Sequence, residues 1–177
     1  SKVIQSFEER DTLSISMFGL LGSGTLLVVM LLRESARNRR QSLHDPLTGL
    51  ANREYFNERL AAGEAQCLRD GSRLGIFIVD LDNFKEVNDT LGHDNGDLLL
   101  KTISERLQSC VKPEDTVARL GGDEFAVIHR CAEGPADSTT LVRRICEKIG
   151  QEIQLNGTLF YPSASIGVSV YPEDARE

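Results

Sequence analysis

Four carboxylates in two short stretches carry the chemistry that this sequence could do. Asp80 and Asp82 follow the apolar run Leu74-Gly75-Ile76-Phe77-Ile78-Val79, and Asp123 and Glu124 follow Gly121-Gly122 between Thr116-Val117-Ala118 and Phe125-Ala126-Val127-Ile128. Residues two apart share a face in an extended chain, so Asp80 and Asp82 are expected to emerge together at a strand end. The glycines supply the positive φ of a tight hairpin turn, which sets the second pair at its tip. If the two strands are neighbours, the acids converge at one edge of a sheet. Hard carboxylate oxygens beside the free N–H groups of a helix start are what a Mg2+–nucleotide site needs: ligands for the metal and donors for the phosphates. The chemistry is then phosphoryl or nucleotidyl transfer. The same spacing also describes acidic loop ends at a solvated rim, and these residues alone do not separate the two.

The elements that must position the acids are legible around them. From Asn52, a good N-cap, Tyr55, Phe56, Leu60, Cys67 and Leu68 fall at spacings that suit one face of a helix ended by Asp70-Gly71. The run Leu74–Val79 is continuous and apolar, which predicts a central strand covered on both faces. Asn83 to Leu91 reads as a short helix capped by Asp82 and closed by Gly92. Gly92 to Asp97 is dense in turn formers and reads as a loop, after which Leu98, Leu99, Ile103 and Leu107 mark a second helix. A third helix from about Ala136 carries Leu141, Val142, Ile145 and Ile149. Asn156-Gly157 predicts a type I′ turn joining a last pair of strands, Ile153–Leu155 and Leu159–Val170. This order describes an α+β domain with helices packed on a sheet.

The chain has 177 residues, 40% of them hydrophobic, enough for one domain with a core and an appendage. Ser at position 1 reads as the start of a fragment. The net charge of −7 is unevenly spread: residues 1–44 hold six Lys/Arg against four Asp/Glu, the remainder fourteen against twenty-three. An acidic globular part argues against nucleic acid as a partner. It leaves room for a nucleotide, whose phosphates can be met by metal ions. Cys67, Cys110, Cys131 and Cys146 show no C-x-x-C spacing and read as small buried thiols, and His44, His93 and His129 lie far apart, so no zinc site is suggested.

Thr12 to Leu32 contains no charge, and as a helix of 21 residues would span roughly 31 Å, enough to cross a bilayer core. Acidic residues precede it and Arg33, Arg37, Arg39 and Arg40 follow, which is not the pattern of a signal peptide and sets the basic side in the cytoplasm. Its serines and three glycines leave a buried hairpin or helix as the alternative. The expected organisation is therefore an extracytoplasmic remnant at 1–11, a transmembrane helix at 12–32, a linker helix at 33–44 and a globular domain from 45, where Asp45-Pro46 breaks the helix.

Four motifs occur in a fixed order: Asp45-Pro46-Leu47-Thr48-Gly49-Leu50-Ala51-Asn52-Arg53, then Asp80-Leu81-Asp82-Asn83-Phe84-Lys85-Glu86-Val87-Asn88-Asp89, then Gly92-His93 with Gly96-Asp97, then Gly121-Gly122-Asp123-Glu124-Phe125. In sequence and spacing they resemble the GGDEF domain of diguanylate cyclases, over residues 45–177. The resemblance implies a central sheet similar to a polymerase palm, ferredoxin-like, with flanking helices. It implies a reaction in which two GTP molecules are joined into cyclic di-GMP with release of two pyrophosphates. By motif, Asp80 and Asp123 look like side-chain ligands of Mg2+, with Mn2+ as the alternative ion, Leu81 like a ligand through its carbonyl, and Glu124 like a further acid at the metal. Lys85 looks like the residue that steadies phosphate charge. Asn88 and Asp97 look like the guanine readers, with His93, Asn83 and Phe84 lining the GTP site. An amide suits the acceptor edge of guanine and a carboxylate its two donors. The family also assigns to Asp123 the deprotonation of the attacking 3′-hydroxyl. A carboxylate of pKa about 3.9 is a weak base for an alcohol, and a metal that acidifies the hydroxyl would supply most of that effect.

Each domain is expected to bring one GTP, so a homodimer is implied, and the first 44 residues imply a single-pass protein of the bacterial inner membrane with its GGDEF domain in the cytoplasm. Two departures stand out. The family's product-binding motif, Arg-x-x-Asp, is here Lys112-Pro113-Glu114-Asp115, and Lys lacks the planar bidentate grip of Arg. The sequence also stops at Glu177, before the helix that carries the family's phosphate-holding basic residues. A weakly catalytic GTP-binding domain that regulates a downstream cyclic di-GMP phosphodiesterase is therefore the alternative function.

Overall fold

The structure, a computed structural model, describes Met30 and residues 43–131 and 135–175. The expected membrane segment 12–32 and its flanks thus lie outside the described residues, apart from Met30, Leu43 and His44. Among the described residues no helix is long and apolar enough to cross a membrane.

Ten elements follow Leu43 in order: α1 (Arg53–Asp70), β1 (Arg73–Leu81), α2 (Phe84–Leu91), α3 (His93–Ser109), β2 (Thr116–Gly121), β3 (Glu124–Cys131), α4 (Pro135–Ile149), β4 (Ile153–Leu155), β5 (Thr158–Phe160) and β6 (Ala164–Tyr171). Four strands form an antiparallel sheet in the order β2-β3-β1-β6. Two split β-α-β units interlock in it: β1 reaches β2 through α2 and α3 with β3 between them, and β3 reaches β6 through α4 with β1 between them. This is a ferredoxin-like sheet with helices packed on it.

The alternation of β1 decides where the core sits. Phe77, Val79 and Leu81 point to one face and are buried with Phe125, Val127, Leu99, Ile103, Leu107, Leu141, Ile145 and Ile149, so α3 and α4 cover that face. The other face is covered by α1 at one end only, where Phe56 and Cys67 meet Leu74, Ala118, Ala126 and Ile128. Ile78 is left 39% exposed, so the strand is not covered on both faces as its apolar run suggests. The half-open face is where Asp80 stands.

Several boundaries differ from expectation. In α1, Asn52 caps as predicted by accepting from the Tyr55 N–H, and Gly71 closes the helix at φ 70°. Leu68, however, is 75% exposed. Phe56, Leu60, Gly63 and Cys67 form the inward stripe at i, i+4, i+7 and i+11, and Leu68 falls one step beyond it. The stretch from His93 to Asp97 is the first turn and a half of α3, not a loop, and only Gly92 separates α2 from α3. Leu98 is consequently exposed and Leu100 takes its place in the core. The Asn156-Gly157 turn joins β4 to β5 with φ of 48° and 80°, as a type I′ turn requires. The run beyond it is two strands, because Tyr161-Pro162-Ser163 interrupts it and Pro has no N–H for a ladder. Cys67 and Cys110 are buried as expected, and Cys146 is exposed.

Candidate functional site

Register places the acids. Asp80, next to last in β1, lies directly opposite Glu124, the first residue of β3. Asp123 sits in the two-residue turn between Gly121 and Glu124, where Gly122 takes a left-handed φ of 54°. The Leu81 N–H donates to the Asp123 carbonyl at 3.3 Å, which ties the end of β1 to that turn. Like charges directly opposite on neighbouring strands are destabilising. The Asp80 carboxyl accordingly has its pKa raised, by burial first and then by Asp123, Glu124 and Asp82. A divalent cation would relieve that repulsion.

Two arginines hold the turn in place, and sequence reasoning assigned neither of them this task. Arg119 donates from Nε and Nη2 to the Gly122 carbonyl, at 3.0 and 2.8 Å, and from Nη1 to both oxygens of Asp45. Arg53, in the first turn of α1, donates to the Leu120 carbonyl at 3.2 Å and to Glu124 at 3.4 Å. Asp45 itself accepts from the N–H and hydroxyl of Thr48. Burial would raise its pKa, but Thr48 and then Arg119 hold it below the usual carboxylate range. A signal was present in the sequence: an arginine two residues before the hairpin glycines carries five N–H donors that need acceptors.

Asp82 emerges beside Asp80 as expected, since Ser165, which stands directly opposite Asp80 in β6, donates to it and its charge is among those that raise the Asp80 pKa. Its two oxygens accept from the hydroxyls of Ser163 and Ser165 at 2.7 and 2.9 Å, and its N–H donates to the Ser163 carbonyl. It does not cap α2. Asn83 is the N-cap, in a left-handed conformation with φ 59° and no side-chain cap bond, so among the described residues the first N–H groups of α2 have no side-chain acceptor. Phe84 and Lys85 stand in that first turn, Lys85 exposed, directly after the strand that carries Asp80. Further along α2, Asn88 is half-buried against the start of α3, where His93 and Asp97 are exposed. The structure thus brings Asp80, Leu81, Asp123 and Glu124 to one end of the sheet and leads from there through Asn83, Phe84 and Lys85 to Asn88, His93 and Asp97 along the α2–α3 pair.

Among the described residues no three His, Cys, Asp or Glu side chains are drawn together tightly enough to hold a metal by themselves. Mg2+ is ordinarily held by one or two carboxylates together with substrate phosphates, so an open pair of hard oxygens is the appropriate donor set. Asp80 and Asp123 fit that part, while Glu124 already has Arg53 as counter-ion.

Elsewhere, a cavity of about 680 Å3 is lined by Arg59, Lys112, Glu114, Asp115 and Arg130, among others. The Asp115 side chain is 0% exposed and turned inward: it accepts from the Lys112 and Arg130 N–H groups and lies 2.9 Å from His129 Nδ1. The second half of the Lys112-x-x-Asp115 motif is therefore occupied by the protein itself.

The sequence pattern described as "Diguanylate cyclase, GGDEF domain" matches residues 42–177. The chain belongs to the GGDEF-domain family. Over 152 residues it is 41% identical to the bifunctional diguanylate cyclase/cyclic di-GMP phosphodiesterase MucR of Pseudomonas aeruginosa, a match covering 86% of this chain and 22% of MucR. It is also 41% identical over 139 residues to the cyclic di-GMP phosphodiesterase NbdA of the same organism, covering 78% of this chain and 18% of NbdA. Among solved structures, the GGDEF domain of Pseudomonas aeruginosa TpbB superimposes with a TM-score of 0.71 at 39% identity, covering 73% of this chain and 76% of that one. The chain thus spans 22% and 18% of the lengths of MucR and NbdA.

Proposed function

We propose that this GGDEF domain makes cyclic di-GMP from two molecules of GTP, with Mg2+ as the metal and two domains face to face, each holding one nucleotide. The observation that carries the reading is the register pairing of Asp80 with Glu124 beside the Asp123 turn, at the same end of the sheet from which α2 starts.

Asp80 and Asp123 would hold the ion, with the Leu81 carbonyl as a further oxygen. Bound there, it would neutralise charge on the triphosphate and acidify the attacking hydroxyl. The chain's own groups do the rest. The unfilled N–H groups at the start of α2 and the positive end of its dipole face phosphate oxygens. Lys85 supplies a point charge as negative charge develops on the transferred phosphoryl group. Asn88 and Asp97 orient the base. The 3′-oxygen of one GTP bonds to the α-phosphorus of the other, the bond from that phosphorus to the bridging oxygen breaks, and pyrophosphate leaves. Repeating this in the opposite sense closes the ring. Both attacks need two nucleotides antiparallel to one another, hence a second copy of the domain. The uncharged stretch from Thr12 to Leu32 supports anchoring in a membrane with the GGDEF domain on its cytoplasmic side.

Incubating the purified chain with GTP and Mg2+ should give cyclic di-GMP and pyrophosphate by mass spectrometry, with product lost in Asp123→Ala. Wild-type chain that binds GTP without turnover would instead favour a regulatory domain. The match to NbdA, which is named as a phosphodiesterase, supports that second reading.

A further inference from the structure

Gly96 is the one glycine of the α2–α3 region whose presence the backbone does not explain. It lies in the second turn of α3, is buried, and does not take the positive φ found at Gly92. A helix interior favours Ala over Gly, so local propensity argues against the residue that stands there.

Its neighbour across the helix pair supplies the reason. A Cβ built on Gly96 would overlap Asn88 Oδ1 outright and stand 3.0 Å from Asn88 Cγ and 3.5 Å from Nδ2. The side chain of Asn88 therefore lies in the space that the missing methyl leaves, with Oδ1 nearest Gly96 and Nδ2 farther from it. Among the described residues no protein group hydrogen-bonds to that amide. The Gly92 N–H that closes α2 bonds to the Asn88 main-chain carbonyl, which fixes the backbone and leaves the side chain as the part able to move. Asp97, the next residue of α3, is exposed.

We propose that Gly96 is a specificity-determining residue of the nucleotide site. By leaving room over the start of α3, it holds the Asn88 amide where its N–H groups meet an acceptor edge of the base while Asp97 accepts from the donor edge. This rests on the reading that Asn88 and Asp97 meet guanine. Adenine presents a donor where guanine has its carbonyl oxygen and an acceptor where guanine has its ring N–H, so it would leave the Asp97 carboxylate without its donors. A side chain at position 96 would displace the flexible Asn88 amide and not the backbone, so the fold should survive while the base contact is lost.

The experiment compares Gly96→Ala, Asn88→Ala and the double variant in the full chain, by equilibrium titration with GTP and with ATP and by thermal unfolding. Gly96→Ala should melt at the wild-type temperature or above, bind GTP about tenfold or more weakly, and show reduced preference for GTP over ATP. In the Asn88→Ala background the same change should cost no further GTP affinity, because the group it displaces is gone. Wild-type GTP affinity in Gly96→Ala, an equal loss in both backgrounds, or loss of the thermal transition would overturn the proposal. If Asn88→Ala itself binds GTP as well as wild type, the base-reading assignment fails first. If Asn88→Ala is weakened and Gly96→Ala is not, only the role of Gly96 falls.

Discussion

Asp45 and Arg119 lie 74 positions apart in sequence, yet the Arg119 Nη1 stands 3.1 Å from Asp45 Oδ1 while the rest of the same guanidinium grips the Gly122 carbonyl. The side chains of Arg119 and Asp45 are largely buried, at 13% and 18% exposure respectively. One planar cation thus ties the segment preceding α1 to the turn that aims Asp123. Arg119→Lys keeps the charge on Asp45 but cannot donate in a fork to the carbonyl. Turnover should fall by on the order of 10- to 100-fold, the scale expected when an acid shifts by about 1 Å, with little change in melting temperature. Arg119→Ala leaves Asp45 without its cation and should in addition cost about 1–3 kcal/mol in urea unfolding. Full turnover in Arg119→Lys would show that the turn holds its shape alone.

Acid stability should depend on Asp115. Burial would raise its pKa, but His129 and then the Lys112 and Arg130 N–H groups hold it below the usual carboxylate range. A carboxylate depressed in the folded state contributes stability that is fully present above its unfolded value, about 4, and is lost as pH falls through the lower folded value. Urea unfolding of the wild-type chain should therefore lose stability progressively below about pH 5. Asp115→Asn removes that charge and leaves the partners misfitted. It should be less stable near neutrality by about 3 kcal/mol and show a shallower decline in acid. Parallel pH curves for the two chains would mean that other carboxylates govern the acid limb.

Much of this arrangement was legible in the residues, and the parts that were not share a cause. The hairpin, its positive-φ glycines, the central strand, the α1 caps and the Asn156-Gly157 turn follow from local rules that act within a few residues. The motif resemblance singled out Asp80, Asp123, Lys85, Asn88 and Asp97 as candidates without stating how they are held. What local rules could not supply were contacts between distant segments. Nothing near Asp82 in sequence says that Ser163 and Ser165 will take its oxygens, so it was expected to cap α2. The turn formers from Gly92 to Asp97 read as a loop because the space needed by Asn88 is invisible in a one-dimensional pattern. Half-coverage of β1 was equally hidden, since an apolar run cannot show how far a neighbouring helix extends.

Asn83 separates a backbone role from a side-chain role. With φ 59° and ψ 22° it occupies the left-handed region just before the first turn of α2, and its side chain makes no cap bond. Most L-residues pay about 1–2 kcal/mol there, Asn somewhat less and Gly almost nothing. If the residue serves to turn the chain so that the following N–H groups face phosphate, Asn83→Gly should retain both melting temperature and GTP affinity within about threefold of wild type. Asn83→Ala should lose about 1 kcal/mol of stability. It should also bind GTP more weakly, because the strain is relieved by tilting the start of α2 away from Asp80. A large loss of affinity in Asn83→Gly at unchanged stability would instead mean that the Asn83 amide itself contacts the nucleotide, and the phosphate-facing role of the α2 start would have to be shared with a side chain.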